Sequence, residues 1–320
     1  MPKRNQCPVT SASLYRRAIP AAARISQWHA ADGWALRRFD WPGAGRGRIL
    51  WQGGRGDIFE KYLELFAHWH AAGWSVTSLD WRGQGGSGRT SNDPHVGDIG
   101  DFAHYITDLR DFWRAWSAEA TGPRVLMGHS MGGHLVLRGV VEGAAMPDAL
   151  VLSAPMLGLK SPFGWTWGER IAHQIARFGD PARAAWRGNE KPATMKSRQE
   201  LLTYDPERYA DELWWQAAKP ELVLGPPSWR WVAQAFTSTR QLRRDPRLPE
   251  LTVPVLLIVP LADQLVDPRA ALGIAERLPD ARLLTFGKEA AHEILREADP
   301  ARARAVAEID AFLSERVPAA

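Results

Sequence analysis

The chain has 320 residues, of which 45% are hydrophobic and 24% are charged, a composition typical of a folded globular protein. The net charge is only +4, and arginines are scattered among acidic residues, so the sequence does not predict nucleic-acid binding. The single cysteine, Cys7, excludes an intramolecular disulfide and a cysteine-based zinc site.

The start of the chain favours a cytoplasmic protein. It carries positive charge but lacks the apolar stretch of a secretory signal, and no part of the chain approaches 18 consecutive apolar residues. The mild positive charge is compatible with peripheral contact at an anionic membrane surface. Residues 1–24 are predicted to form a loosely held N-terminal tail.

The first structured stretch is predicted to be a β-hairpin, because strand-like sequences flank Asp32-Gly33, a dipeptide that favours a tight turn. Beyond it, apolar segments of strand length alternate with segments of helical periodicity. The predicted strands are 48–52, 74–80, 124–127, 149–155, 253–259 and 281–286, and the predicted helices are 59–72, 102–118, 133–141, 269–276 and 300–316. This alternation predicts an α/β protein with a mostly parallel sheet and helices on both faces.

The alternation is interrupted between the fourth and fifth of these strands. A crossover between parallel strands needs roughly a dozen residues, and the chain is far longer here. Residues 157–244 are therefore predicted to form a helical cap inserted between the two parts of the core, residues 25–156 and 245–320.

The predicted cap is rich in tryptophan, with seven of the 16 in the chain. Trp229 and Trp231 lie at the start of a predicted amphipathic helix, residues 228–240, and are expected to line an apolar pocket. The alternative is that the tryptophans form the core of the cap itself.

The sequence Gly128-His129-Ser130-Met131-Gly132 is the most informative motif. It lies between a predicted strand and a predicted helix, which is the setting of a nucleophile elbow, a tight turn that raises a serine hydroxyl above the sheet. The pattern alone occurs by chance in about one chain of this length in ten, so the flanking elements carry the prediction. Ser130 is the predicted nucleophile; the alternative is a glycine-rich helix start with a capping serine.

A serine nucleophile needs a histidine base and an orienting carboxylate, in the chain order serine, acid, histidine. Most of the nine histidines precede the serine, flank it or lie in the predicted cap, which leaves His292 in the loop after the last strand. Asp263 and Asp267 both follow the preceding strand. Asp267 stands before Pro268 at a predicted helix start, where it would serve as an N-cap. Asp263 is therefore the predicted acid, and Asp267 the alternative.

Backbone amides are expected to stabilise the oxyanion. One belongs to Met131, directly after the serine, and the other to Arg55 in the glycine-rich turn after the first parallel strand. The guanidinium group of Arg55 is interpreted as a solvated surface group, with contact to an anionic head group as the alternative.

Two further motifs are not interpreted as sites. Residues 83–88 match the G-x-G-x-x-G pattern of dinucleotide binding, but no helix is predicted after them. His68 and His70 are two residues apart, so they would not share a helix face, and no third ligand has suitable spacing. Neither a cofactor nor a metal ion is predicted.

Together these motifs resemble the α/β-hydrolase superfamily, and more narrowly the branch of bacterial lysophospholipases, monoacylglycerol lipases and serine aminopeptidase-like hydrolases. The resemblance spans roughly residues 48–160 and 250–315. Relatives commonly have His-Gly where this chain has Gly53-Gly54, and often have histidine where it has Trp81. Besides the elbow, the matching stretches are Gly54-Arg55 with Lys61-Tyr62, Asp80 to Gly88, Asp93 to Gly97, Ser153 to Met156, and His292 to Leu295.

The resemblance implies a serine hydrolase that cleaves carboxylic esters of monoacyl lipids through an acyl-enzyme, with the cap supplying the acyl pocket. One alternative is an aminopeptidase or amide hydrolase with the same triad, for which Glu169 and Glu190 are candidate anchors of a substrate amine. The other is a ligand-binding protein that kept the fold without catalysis. Acyl length, head group and oligomeric state are left open.

Overall fold

A computed structural model describes residues 15–160, 165–186 and 198–318. Cys7 and Glu190 lie outside these described residues. Within them the strands are β1 (Arg24–His29), β2 (Ala35–Trp41), β3 (Gly47–Gln52), β4 (Trp74–Leu79), β5 (Arg124–His129), β6 (Ala149–Ser153), β7 (Val255–Pro260) and β8 (Ala281–Phe286). The α-helices there are α1 (Leu63–Ala71), α2 (Ala103–Ala118), α3 (Met131–Val141), α4 (Trp165–Arg177), α5 (Arg198–Leu202), α6 (Pro206–Ala218), α7 (Trp229–Arg244), α8 (Pro268–Ala275) and α9 (Ala301–Arg316).

These strands form one sheet in the order β1-β2-β4-β3-β5-β6-β7-β8. β3 to β8 run parallel, whereas β1 and β2 form the antiparallel hairpin predicted around Asp32-Gly33. In its turn, Gly33 has a φ of 81°, which glycine adopts without strain, and the backbone N–H of Trp34 donates to the Asp32 carboxylate at 3.0 Å. The prediction of a mostly parallel sheet is confirmed.

Helices cover both faces of the sheet. α2, α3 and α8 pack apolar side chains on one face, and α1 and α9 pack on the other. β6 and β7 are buried along their whole length, which explains why their sequences are continuously apolar. None of the helices in the described segments is both long and apolar enough to cross a membrane.

The helix boundaries differ from the prediction by two residues or more at three places. The helix predicted over 59–72 starts with a separate 3-10 turn, Phe59–Tyr62, before α1. α3 starts two residues before the predicted position because the elbow turns directly into it. α7 continues to Arg244, four residues past the predicted end.

Helices α4 to α7 all lie between β6 and β7, within the segment predicted to form the cap. α4 packs against α7. α6 begins at an N-cap, Asp205, whose carboxylate accepts hydrogen bonds from the backbone N–H groups of Glu207 and Arg208, both at 2.9 Å. The division of the chain into core and cap stays a prediction.

The segment before β1 is held against α6. Arg16 and Arg17 both form ion pairs with Asp211 of that helix. The indole N–H of Trp215 donates to the backbone carbonyl of Arg16 at 2.8 Å. From Tyr15 onward, the predicted tail is therefore not loosely held.

Candidate active site

Ser130 lies in a strained turn between β5 and α3. Its φ of 51° and ψ of −117° are unfavourable for any residue but glycine, at a cost of about 1–3 kcal/mol. Glycines make room for the turn: a Cβ atom on Gly132 would lie 2.3 Å from the carbonyl oxygen of Gln52, and one on Gly128 would lie 2.7 Å from the backbone of Gly132. The turn thus lifts the serine hydroxyl at the carboxyl end of β5.

Ser130, His292 and Asp263 form one hydrogen-bonded chain. His292 Nε2 lies 2.8 Å from Ser130 Oγ, and His292 Nδ1 lies 2.6 Å from Asp263 Oδ2. The other carboxylate oxygen of Asp263 accepts the backbone N–H groups of Leu265 at 2.7 Å and Val266 at 3.1 Å. The loops after β5, β7 and β8 bring these three residues together, because the carboxyl ends of parallel strands meet at one edge of the sheet.

The electrostatics of the pair suit a base and its orienting acid. Burial by itself would lower the pKa of the His292 imidazole, but the Asp263 carboxylate, together with Glu293 and Asp57, outweighs burial and raises that pKa above its usual range. Burial also opposes ionisation of Asp263, yet the imidazole and the two backbone amides hold the pKa of this carboxyl below its usual range. Asp263 is therefore charged at neutral pH and can stabilise an imidazolium.

Asp267, the alternative acid, has a different place. Its carboxylate accepts the backbone N–H of Arg269 at 3.1 Å as the N-cap of α8, with Pro268 at the first helical position. The structure therefore places Asp263, not Asp267, against His292.

The two histidines that flank the serine do not contact its hydroxyl. Burial, together with the charge of His292, lowers the pKa of His129 to about 4, so its ring is neutral at pH 7. Burial lowers the pKa of His134 to about 3, and its Nε2 lies 2.7 Å from the hydroxyl of Ser238.

The glycine-rich turn after β3 passes directly against the serine, since a Cβ atom on Gly54 would lie 3.0 Å from that of Ser130. Three side chains fix the turn: Asp57, Trp81 and Gln84. The Asp57 carboxylate accepts the Gly54 N–H at 2.7 Å, and the indole N–H of Trp81 donates to the Gly53 carbonyl at 3.0 Å. Trp81 thus supports this turn through its own N–H group.

Gln84 holds the same turn on both sides of Arg55. Its side-chain amide donates to the carbonyl of Gly54 at 2.8 Å and accepts the N–H of Gly56 at 3.2 Å. Gln84 belongs to the G-x-G-x-x-G stretch, which here supports the glycine-rich turn. The Arg55 backbone, between these two bonds, has little freedom to reorient.

The predicted oxyanion residues lie on either side of the serine. Met131 opens α3, where the first backbone N–H groups have no partner inside the helix. Arg55 lines the cleft described below, but its guanidinium group is half-buried, donates to the Gly225 carbonyl at 2.8 Å and lies 5.8 Å from the Trp231 ring. Its interpretation as a solvated surface group is therefore wrong, because it packs across the cleft wall.

A cleft of about 1090 Å³, counting its open mouth, adjoins His292. Its apolar lining residues, here called the apolar wall, come from both core and insertion. Its charged lining residues include Asp57, Lys61, Glu212 and Glu293. The apolar wall includes Leu159, Trp186, Leu222, Leu224, Trp231 and Leu265.

Of the two tryptophans predicted to line the pocket, the structure brings Trp231 to the cleft and not Trp229. Trp231 packs at 5.6 Å from the ring of Phe102, whereas Trp229 is half-buried against the hydrophobic core. Two residues apart on a helix differ in direction by about 200°, so the two side chains cannot share a face. Trp186 takes the second tryptophan position at the cleft.

Sequence reasoning missed the residues that support the site. Glu212 carried no recognisable signal, because its partners Lys61 and Arg296 are distant in sequence. Asp57 has partners close in sequence but lies outside the matching stretches. Gln84, Lys61 and Glu293 did lie in stretches that resemble the lysophospholipase pattern, which was the available hint of their role.

A parallel sheet that raises a serine on a strained turn at its carboxyl edge is the α/β-hydrolase architecture, and the fold predicted from the sequence is confirmed. Within that class, residues 43–299 match the model of the family described as "Serine aminopeptidase, S33". The chain belongs to this family.

The chain is 30% identical to "Lysophospholipase L2" of Escherichia coli (strain K12), over 82% of this chain and 78% of that protein. A soluble variant of monoglyceride lipase from Saccharomyces cerevisiae has a TM-score of 0.74 at 19% identity, covering 93% of this chain and 97% of that one. The monoacylglycerol lipase of Paleococcus ferrophilus has a TM-score of 0.68 at 22% identity, covering 88% and 99%. At these identities the two structures support the fold alone.

Proposed function

We propose that the protein is a serine hydrolase that cleaves the carboxylic ester of monoacyl lipids. The observation that carries the proposal is the hydrogen-bonded chain of Ser130, His292 and Asp263 beside a cleft with an apolar wall. The similarity to a lysophospholipase, at 30% identity over most of both chains, supports the same substrate class.

In the proposed reaction, His292 Nε2 accepts the proton of Ser130 as Oγ attacks the ester carbonyl. The backbone N–H groups of Met131 and Arg55 stabilise the oxyanion. The imidazolium, held by Asp263, then protonates the leaving alcohol, and an acyl-enzyme remains. Water attacks this ester with His292 again as the base, and the free acid leaves. The reaction needs no cofactor.

The pocket chemistry favours an ester over the amine-bearing substrate of an aminopeptidase. An amine anchor needs an available carboxylate, yet the cleft carboxylates Asp57, Glu212 and Glu293 each form an ion pair with Lys61, at 2.6, 3.2 and 2.7 Å. Glu169, the other candidate in the described residues, pairs with Arg240 at 2.9 Å. A positively charged substrate would have to break these pairs.

A panel of substrates tests the proposal. Lysophosphatidylcholine, a monoacylglycerol, p-nitrophenyl esters and aminoacyl p-nitroanilides are assayed with wild type and with Ser130→Ala. We expect turnover of the monoacyl lipids by wild type and none by Ser130→Ala. Cleavage of the anilides in preference to the lipids would support the amide hydrolase instead. A protein that hydrolyses nothing and does not react with a fluorophosphonate would be a ligand-binding member of the fold.

The predicted cytoplasmic location, with peripheral contact at the inner membrane, belongs to the same proposal because monoacyl lipids partition into bilayers. Co-sedimentation with anionic and with zwitterionic vesicles tests it, and equal absence of binding to both would contradict the membrane contact.

A further inference from the structure

Five charged side chains form a buried ion cluster next to His292, with Lys61 at its centre. We call these residues the Lys61 cluster: Asp57, Lys61, Glu212, Glu293 and Arg296. Each of these side chains is 7% exposed or less. Lys61 forms ion pairs with all three carboxylates of the cluster. Arg296 forms ion pairs with Glu212, at 3.0 Å, and with Glu293.

The cluster joins three parts of the molecule that the catalytic site requires. Asp57 holds the N–H of Gly54 in the glycine-rich turn. Glu293 directly follows His292 in the loop after β8. Glu212 lies on α6, in the insertion between β6 and β7. One atom, Lys61 Nζ, is therefore linked through these carboxylates to the glycine-rich turn, here called the oxyanion turn, to the histidine loop and to the insertion.

Backbone contacts attach the histidine loop to the same insertion. The N–H of Glu293 donates to the carbonyl of Leu202 at 2.7 Å, at the end of α5. The hydroxyl of Thr203 donates to the carbonyl of Arg296 at 2.8 Å. The loop that carries the base is thus built partly on residues that lie between α5 and α6.

The charges of the Lys61 cluster balance once Arg198, which pairs with Glu212, is included. Burial opposes ionisation of every member, but the ion pairs outweigh it: the pKa values of Asp57, Glu212 and Glu293 lie below their usual range, and that of Lys61 lies above its own. Arg198 adds a third cation, 2.6 Å from Glu212. Three carboxylates face three cations, and removal of any one leaves an uncompensated buried charge.

We propose that the Lys61 cluster sets the position of His292 relative to the oxyanion turn, and that α6 completes it through Glu212. Lys61 and Glu212 also line the cleft, but on this view they affect catalysis as positioning residues, which act through Asp57 and Glu293. The inference rests on the proposed function, in which Ser130 is the nucleophile. A shift of about 1 Å in such a site can cost roughly 100-fold in rate.

The cluster also affects how readily His292 takes up a proton. The charged or titratable groups next to His292 come from several elements: Asp263 after β7, His129 in β5, Asp57 after β3, and Glu293 on its own loop. Lys61 and Arg296 join them through ion pairs with Asp57 and Glu293, and Glu212 on α6 joins them through Lys61 and Arg296. Loss of Lys61 leaves a net negative charge near His292, which favours the imidazolium. Loss of Glu212 leaves a net positive charge, which disfavours it. The two changes should therefore move the protonation of His292 in opposite directions.

The test compares Lys61→Met, Glu212→Gln and the double variant with wild type. The rate of Ser130 labelling by a fluorophosphonate is measured from pH 4.5 to 9, because this rate does not depend on which ester is the substrate. Lys219→Met is the matched control: Lys219 also joins the end of α6 to the core, through Glu60 at 3.1 Å, but contacts neither catalytic loop. Lys61→Arg tests whether a retained charge rescues the site.

Ser130 of Lys61→Met should be labelled about tenfold more slowly at the optimal pH. The midpoint of the rise in labelling rate on the acidic side of the pH profile, which reports deprotonation of His292, should move up by about half a pH unit. The midpoint of Glu212→Gln should fall, and that of the double variant should return near wild type while its rate stays low. Lys219→Met should match wild type in both, and Lys61→Arg should keep the wild-type midpoint. If Lys61→Met does not fold, Glu212→Gln and Lys61→Arg carry the test.

Midpoints that do not move, or that move in the same direction in both single variants, would overturn the proposal and leave a purely structural cluster. Wild type that is not labelled at all would instead remove the proposed function, and this inference with it. Normal labelling without turnover of monoacyl lipids would change the substrate class and leave the cluster proposal standing.

Discussion

The serine and the histidine of the site are held in place in two different ways. Ser130 lies between adjacent elements, and its turn depends on glycines within two residues of it and on the backbone of β3. His292 lies in a loop whose ion pairs and backbone contacts reach the insertion; Arg296, for example, pairs with Glu212, 84 residues away. The serine side is a local structure, whereas the histidine side is assembled by tertiary contacts.

This difference has consequences for mutation. A local turn tolerates changes in the insertion, because its geometry is set by the strand, the glycines and the helix that follows. A loop supported by distant partners changes position when any of those partners is lost. Substitutions around Ser130 should therefore change the catalytic rate without changing how the insertion packs. Substitutions around the His292 loop should change both the catalytic rate and the packing of the insertion.

The largest effect is expected from Ser130 and His292 themselves, one residue from each side. Ser130→Ala and His292→Ala should each lower kcat by about a thousandfold or more, and the double variant should be scarcely worse than either, because the members of a triad act as a unit. Ester turnover with active-site titration measures this. If Ser130→Ala kept more than a tenth of wild-type kcat, its residual activity would be about 10²-fold above what loss of a nucleophile leaves. Ser130 would then not be the nucleophile.

Next in size is the effect of the acid on the histidine side. Asp263→Asn should lower kcat by about 10²- to 10⁴-fold, because the amide favours the wrong imidazole tautomer. Asp267→Ala is the matched change in the same loop; it should leave kcat nearly intact and lower the free energy of unfolding by about 1 kcal/mol as a lost helix cap. Kinetics and urea unfolding of both variants measure the two effects. The reverse order in kcat, with both proteins folded, would assign the acid to Asp267.

Substitution of Gln84 tests whether the glycine-rich turn is held by local contacts, like Ser130, or by tertiary contacts, like the His292 loop. Gln84→Ala removes both bonds that hold the turn around Arg55, so kcat should fall roughly 10- to 100-fold with little change in KM, since the proposed oxyanion donor, the Arg55 N–H, acts in the transition state. Ser87→Ala is the control: Ser87 is also buried and bonds the backbone of Arg37 and Asp80, but not the turn. It should cost about 1–3 kcal/mol of stability and leave kcat unchanged. Equal kcat losses in both variants would mean that the effect comes from general destabilisation.

The same distinction explains what the sequence could predict. The elbow, the hairpin at Asp32-Gly33 and the strands followed from residues adjacent in the chain, so their positions were legible from turn chemistry and apolar runs. His292 and Asp263 could be proposed because chain order and strand ends restrict the choice. The support of the histidine loop could not, because nothing in the residues around Glu212 indicates that this carboxylate pairs with Lys61.

Trp229 shows a second reason. Hydrophobic residues predict that α7 packs on something, but the face that meets the cleft depends on how the helix is oriented in the tertiary structure. Both tryptophans belong to the same apolar-rich helix start, and only the packing of Trp231 against Phe102 decides which of them reaches the cleft.

The smallest effect should separate these two tryptophans. If the apolar wall buries the acyl chain, each methylene contributes about 0.8 kcal/mol, so kcat/KM should rise by up to roughly fourfold per carbon until the cleft is full. Trp231→Ala should reduce this slope to less than about twofold per carbon and leave acetate turnover nearly unchanged, because Ser130 and His292 are held by the core and by the Lys61 cluster. Trp229→Ala, on the opposite face of α7, should keep the wild-type slope. A p-nitrophenyl ester series from acetate to palmitate measures all three slopes, with Trp231→Leu as a substitute if the alanine variant unfolds. A slope that is flat in wild type would exclude the acyl pocket, and an equal loss in both variants would show that the integrity of α7, not the cleft contact of Trp231, sets chain-length preference.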